Sequence, residues 1–255
     1  LTRVAGDRSG PAPAQERRLY GRRRGRKLRP GRQRLLEDLL PRLRVPVPAD
    51  GSSLDPRTLF KREPAEVWLE VGFGGGEHLA AQAAAHPNVG FIGAEPFVNG
   101  VAGLLARVAR DGLDNVRVLD GDARPLVAAL AEASIGRVFV LFSDPWPKPR
   151  HHRRRFIGPA TLDDLARAMR DGAELRFASD HMGYVRWTLE HATRHPCFRW
   201  TARSRRDWRR RPDDGFATRY EAKAVGRGAA CVYLTFARRP RGNDGAPGSR
   251  DCVER

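Results

Sequence analysis

Apolar positions follow two rhythms along this chain. Near the start, Leu35, Leu36, Leu39, Leu40 and Leu43 recur at helical spacing until Pro41 and Pro46 interfere, which predicts a short amphipathic helix. From about Glu66 short apolar runs alternate with longer amphipathic stretches. Runs at 67–71, 89–94, 116–119, 137–142 and 175–178 read as strands. Helical periodicity covers 77–86, 97–110 and 184–195, with Val101, Leu104, Leu105 and Val108 on one face of the second. A further helix is expected where Thr161 can act as N-cap, with Asp163 and Asp164 in its first turn. Leu162, Leu165 and Met169 would form its apolar face and Gly172 its end. Runs at 198–201 and 231–237 complete seven strands, with no strong helix between them. Alternation of this kind predicts an α/β, doubly wound, mostly parallel sheet closed by a C-terminal antiparallel hairpin.

Composition narrows the class. With 255 residues and 40% apolar content, one folded domain is expected. It would span 61–239, preceded by a tail at 1–15 and a basic arm with its short helix at 16–60, and followed by a tail at 240–255. No apolar run approaches the ~20 residues that cross a bilayer, so no membrane partner is expected. The first residues contain no apolar core of a secretory signal. Cys197, Cys231 and Cys252 are scattered and odd in number, which offers neither a disulfide framework nor a metal knuckle and fits a reducing cytoplasm.

Charge changes the picture more. The total is +17, yet residues 1–44, 148–155 and 199–211 carry +10, +5 and +6, leaving −4 for the remainder. A near-neutral body with three basic patches is the pattern of a nucleic-acid binder.

Two segments carry candidate chemistry. Glu70-Val71-Gly72-Phe73-Gly74-Gly75-Gly76 follows the first strand and precedes a helix. Gly72, Gly74 and Gly76 permit a tight turn and close approach of a ligand to the backbone. A dinucleotide loop would have a final glycine where Glu77 stands, which weakens a nicotinamide oxidoreductase. The acid-x-G-x-G-x-G order instead resembles the first motif of class I S-adenosylmethionine-dependent methyltransferases, and with it a Rossmann-like sheet. Glu95, at the end of the second strand, can accept both ribose hydroxyls. Asp122, after the third, can fix the adenine edge.

The second segment is Phe142-Ser143-Asp144-Pro145-Trp146-Pro147-Lys148-Pro149-Arg150-His151-His152-Arg153-Arg154-Arg155. Asp144, Trp146 and Lys148 each precede a proline and are steered to extended geometry. Here the chain resembles the tRNA (guanine-N7-)-methyltransferases. The likeness runs from about Arg18 to Arg238 and includes Tyr20-Gly21-Arg22-Arg23, Phe177-Ala178-Ser179-Asp180 and Thr218-Arg219-Tyr220-Glu221. Ser143 and Pro149 depart from the family pattern.

The resemblance implies S-adenosylmethionine as cofactor, contacted by Glu70, Gly72, Gly74, Gly76, Glu95, Asp122 and Asp144. It implies catalysis at Asp144, and tRNA contacts at Lys148, Asp180, Thr218, Arg219, Tyr220 and Glu221. Arg150, Arg153, Arg154 and Arg155 are expected to hold RNA phosphates. The implied reaction is methyl transfer to N7 of a variable-loop guanine, position 46 in tRNA numbering, by a monomer or homodimer without metal. Alternatives are a class I methyltransferase acting on another RNA nitrogen and a non-catalytic RNA-binding protein on the same fold.

Overall fold

The computed structural model describes residues 21–242; the expected tail at 1–15, Tyr20 and the chain from 243 lie outside the described residues. The order begins with α1 (Pro30–Asp38), α2 (Leu40–Leu43), β1 (Glu66–Val71), α3 (Glu77–Ala85), β2 (Val89–Ala94), α4 (Val98–Asp111) and β3 (Val116–Leu119). It continues with α5 (Ala123–Ala129), β4 (Ile135–Leu141), α6 (Pro159–Ala168), β5 (Met169–Ser179) and α7 (Met182–Arg194). Last come β6 (Phe198–Trp200), α8 (Arg206–Arg209), α9 (Arg219–Val225) and β7 (Val232–Arg238).

The strands form one sheet in the order β3-β2-β1-β4-β5-β7-β6. Pairing is parallel from β3 through β5, and β7 runs antiparallel to both β5 and β6. The antiparallel C-terminal pair is as expected. Its connection is longer than a hairpin turn, because α8 and α9 intervene and β7 inserts between β5 and β6.

Both faces of the sheet are covered, which is why the strands read as continuous apolar runs. In β1, Val67, Leu69 and Val71 point into one core, with Leu126, Leu162, Leu165 and Tyr184. Trp68 points into the other, with Leu40, Leu43, Leu79 and Leu104. Alternation along the strand thus serves two helical layers. The four residues predicted for the face of α4 are all buried, and Gly112, at φ 64, ends that helix in the left-handed conformation.

Two local readings need correction. Thr161 is not the N-cap of α6 but its third residue; its hydroxyl accepts from Gly158 N–H at 3.1 Å and donates to the Phe156 carbonyl. That helix stops at Ala168, so Met169 opens β5, and Gly172 (φ 76) lies within the strand instead of ending a helix. The lost hydrogen-bonding partner for a longer helix is replaced by the sheet, where Met169 pairs with Ile135. In addition, α5 has no counterpart in the predicted elements.

The glycine loop lies close against α4 at the carboxyl edge. A Cβ on Gly100 would stand 2.2 Å from the Gly74 carbonyl, whereas one on Gly31 would meet nothing within 4 Å. Alanine normally stabilises a helix by about 0.4–1 kcal/mol over glycine. Gly31→Ala is therefore expected to raise stability slightly, and Gly100→Ala to lower it by more than that gain, as read by urea denaturation.

Candidate active site

The parallel strands deliver their last residues to one edge. β1 runs into the glycine loop, β2 into Glu95, β3 into Asp122, β4 into Asp144 and β5 into Asp180. This is the crevice in which open α/β sheets take ligands.

The loop is left-handed at all three predicted glycines, with φ 73, 57 and 75 at Gly72, Gly74 and Gly76. Side chains resist that conformation. Glu95 holds it in place. One carboxylate oxygen accepts from Gly74 N–H at 2.8 Å and the other from Phe97 N–H at 2.9 Å. Glu95 is buried, and burial pushes its carboxyl above the usual range, aided by the charges of Asp144 and Glu70 and opposed by the two amides. Each oxygen keeps acceptor capacity for a ligand hydroxyl.

Glu70 is buried beneath the loop, and its carboxylate meets His78 Nδ1 at 2.7 Å. Asp122 caps α5, accepting from Arg124 N–H at 3.0 Å, and pairs with the Arg124 guanidinium at 3.1 Å. Arg124 also donates to the carbonyls of Arg154 and Arg155, at 2.8 and 3.1 Å. A cleft joins Gly72, Asp122, Ser143, Asp144 and Trp146.

Asp144 lies open to this cleft, yet partial desolvation by its walls still raises its carboxyl above the ordinary range. The backbone on either side is strained, since Phe142 and Trp146 adopt φ 51 and 43. Lys148 is extended as expected, but Trp146 is not, despite the proline after it. Its ring is held by the Arg154 guanidinium, 5.0 Å from the centroid, and by His151 at 6.0 Å.

The basic run divides. Pro149–Arg154 forms a 3-10 turn that exposes Lys148, Arg150 and Arg153, while Arg154 is half-buried. Arg155 does not join that surface. It is 4% exposed, donates to the Pro145 carbonyl at 2.8 Å, and lies over the rings of Tyr184 and Trp187. Its expected phosphate contact is therefore corrected: its cation is spent holding the chain next to Asp144.

The remaining expected residues gather beside β5. Asp180 pairs with Arg227 at 2.7 Å. Thr218 caps α9, accepting from Glu221 N–H at 3.0 Å. Glu221 is buried and accepts from the Tyr233 hydroxyl at 2.6 Å and from Arg211 at 3.2 Å. Arg219 and Tyr220 are exposed, and the Tyr220 ring leans over the glycine loop, 2.9 Å from where a Cβ on Gly74 would sit. Sequence reasoning missed His78, Arg124 and Tyr233; His78 meets Glu70 across the loop, Arg124 bridges Asp122 to the carbonyls of Arg154 and Arg155, and Tyr233 reaches Glu221 from the last strand.

Comparison with known proteins adds a family to this geometry. A family model described as a putative methyltransferase matches residues 64–234. A protein from Rhodospirillum rubrum named tRNA (guanine-N(7)-)-methyltransferase is 56% identical over 234 residues, covering 91% of this chain and 92% of its own. Proteins of the same name from Nitrobacter hamburgensis and Paramagnetospirillum magneticum are 48% and 50% identical, over 86% and 91% of this chain and 86% and 98% of theirs. The chain belongs to the tRNA (guanine-N(7)-)-methyltransferase family.

For this family member S-adenosylmethionine is the methyl donor to be accommodated, and the cleft fits it. Desolvation raises the carboxyls of both Glu95 and Asp144, that of Glu95 further through the charge of Asp144, and a ligand carrying a positive centre favours the ionised form of each. The left-handed loop leaves backbone exposed at Gly72, where a Cβ would find its nearest neighbour 4.0 Å away. Among the described residues no group of three or more His, Cys, Asp or Glu lies placed to hold a metal ion. No helix among them is long and apolar enough to cross a membrane.

Two outcomes test the site. Glu95→Ala removes two acceptors from buried amides, worth about 1.5–3 kcal/mol each when charged. It is expected to lower both S-adenosylhomocysteine affinity, by calorimetry, and ligand-free thermal stability; a loss of affinity alone would remove the loop-holding role. A role that uses the Asp144 carboxylate in its ionised form predicts, from its raised pKa, that kcat/KM falls toward acid with a midpoint above the ordinary aspartate value of about 3.9. In Asp144→Asn, single turnover should drop on the order of 10²–10³, and the acid limb assigned to it should vanish.

Proposed function

We propose that this protein transfers a methyl group from S-adenosylmethionine to N7 of a variable-loop guanine in tRNA, at position 46. The single observation that carries the reading is the placement of Asp144, at the open end of β4, within one cleft with the glycine loop and Asp122. When bound, the cofactor supplies an electrophilic methyl group on a sulfonium centre. Guanine N7 has a lone pair and no proton, so no residue need act as a base. What the chain must do is align that nitrogen and favour the positive charge that grows on the purine. The Asp144 carboxylate does the second, and the strained turn around it does the first. Asp180 and the cap at Thr218 border the same edge and are assigned to the guanine side of the site.

Outside the cleft the surface favours RNA. Lys148, Arg150 and Arg153 are exposed beside Asp144. At the end of β6, Arg203, Arg205, Arg206, Arg209 and Arg210 are exposed as well. The acid among them, Asp207, is occupied by the N–H groups of Arg203 and Ser204, at 2.8 Å each. Unneutralised arginines suit phosphates. In this reading residues 61–239 are the methyltransferase domain and the preceding basic arm is an RNA-binding addition.

Methyl transfer to unmodified tRNA, followed by nucleoside mass analysis and mapping of the modified position, is the direct test; product at another nitrogen would overturn it. Phosphate contacts predict a steep salt dependence, each contributing about −0.7 to −0.9 to the slope of log affinity against log salt. Lys148→Gln, Arg150→Gln and Arg153→Gln combined should flatten that slope by about two units. Arg155→Gln should leave the slope intact and lower turnover instead, because its partner is the Pro145 carbonyl.

A further inference from the structure

The arm has an attachment that its composition does not foretell. Asn99, in the first turn of α4, accepts from Gly25 N–H through Oδ1 at 2.7 Å and donates from Nδ2 to the Arg26 carbonyl at 2.7 Å. Its neighbour Val98 donates its N–H to the Arg23 carbonyl at 2.9 Å. Three hydrogen bonds thus grip the backbone at Arg23, Gly25 and Arg26. Val98 is the first residue of α4, so its N–H has no partner within the helix, and the arm supplies one. The fit is close: a Cβ on Gly25 would come within 2.9 Å of both Asn99 Oδ1 and the Phe97 ring and would push against the side chain that grips it.

The grip fixes the arm's course. Downstream, α1 begins at Pro30 and packs against α4. Upstream, the backbone of Gly21 reaches Asp144, with a notional Cβ 3.7 Å from its Oδ2. Between these points lie Arg22, Arg23, Arg24, Arg26 and Lys27, all exposed, and none is in an ion pair among the described residues. Their segment runs from the β2 side of the cleft toward Asp144, and Lys148, Arg150 and Arg153 occupy the β4 side. In the sheet, β1 with its glycine loop lies between those two strands.

We infer that Asn99 is a positioning residue that latches the arm across the cleft mouth, so that its cations form the second wall of a groove for the tRNA backbone. The inference rests on the functional reading above and adds to it where the substrate's phosphates are gripped and which residue sets that grip. Asn99 itself touches neither the reacting atoms nor the cofactor cleft, so its effect is expected on tRNA binding.

The test uses full-length protein and unmodified tRNA in a double-mutant cycle. One variant is Asn99→Ala; the second is the neutral arm, in which Arg22, Arg23, Arg24, Arg26 and Lys27 are each changed to Gln; the third combines them. Losing two hydrogen bonds of ordinary strength should raise KM for tRNA about tenfold, with kcat and S-adenosylhomocysteine affinity unchanged. In the neutral-arm background Asn99→Ala should add nothing further, because no charge remains to be positioned. An unchanged KM in Asn99→Ala overturns the latch. So does an equal rise in both backgrounds, which would mean that Asn99 acts through α4 itself. Wild-type protein that fails to methylate tRNA would instead overturn the functional reading beneath it, a result visible before any variant is made.

Discussion

A single carboxylate joins the parts on which the site depends. Glu95 takes the N–H of Gly74 on one oxygen and that of Phe97 on the other, and so ties the loop after β1 to the start of α4. Gly72 and Gly76 are also held, by the carbonyls of Ala94 and Phe73, but the Gly74 N–H between them finds its partner in Glu95. With that tie, the loop can lie against α4 closely enough that Gly100 has no room for a side chain. The arrangement places a negative charge where solvent is scarce, next to Asp144 and Glu70. A cation entering the cleft therefore meets a field already organised to receive it, with no reorganisation to be done on arrival.

The turn after β4 is governed by a different economy, the division of arginines between structure and surface. Arg155 turns inward onto Tyr184, Trp187 and the Pro145 carbonyl, and Arg154 lies against Trp146. Arg124 closes the other side by holding the carbonyls at the end of the turn while pairing with Asp122. These contacts hold Trp146, and a hydrogen bond to the Ala178 carbonyl holds Phe142, in a backbone region that neither would adopt alone. Asp144 stands between the two strained residues. Guanidinium groups suit this work because a planar fork can stack on rings and donate to carbonyls at once.

Much of this was legible before the structure. Strands β2 and β3 begin and end where their apolar runs do, because strands buried on both faces leave no doubtful boundary residues. The glycine loop and the acids at successive strand ends were legible for a related reason: their spacing is set by the local chain. What failed to show depended on distant partners. Helix α5 is short, carries Pro125, and owes its place to Asp122 at its start and to Leu126 and Val127 in the core. The inward turn of Arg155 is decided by Tyr184 and Trp187, some thirty residues on, and nothing in a run of three arginines marks the third as different. The insertion of β7 between β5 and β6 is likewise a matter of edge pairing that periodicity does not encode.

The hold of Asn99 on the arm has a consequence for how this surface can change over time. A side-chain amide that binds peptide N–H and C=O groups is indifferent to what those peptides carry, Gly25 excepted. Residues on either side of Gly25 are thus free to drift, exchanging arginine for lysine or shuffling charges among neighbours, while the path of the chain stays the same. Insertions and deletions have no such licence: one residue gained or lost between Gly25 and α1 would pull the glycine out of register with the Phe97 ring. Length is held fixed where composition is left open, so the charge of the arm can be tuned by substitution alone.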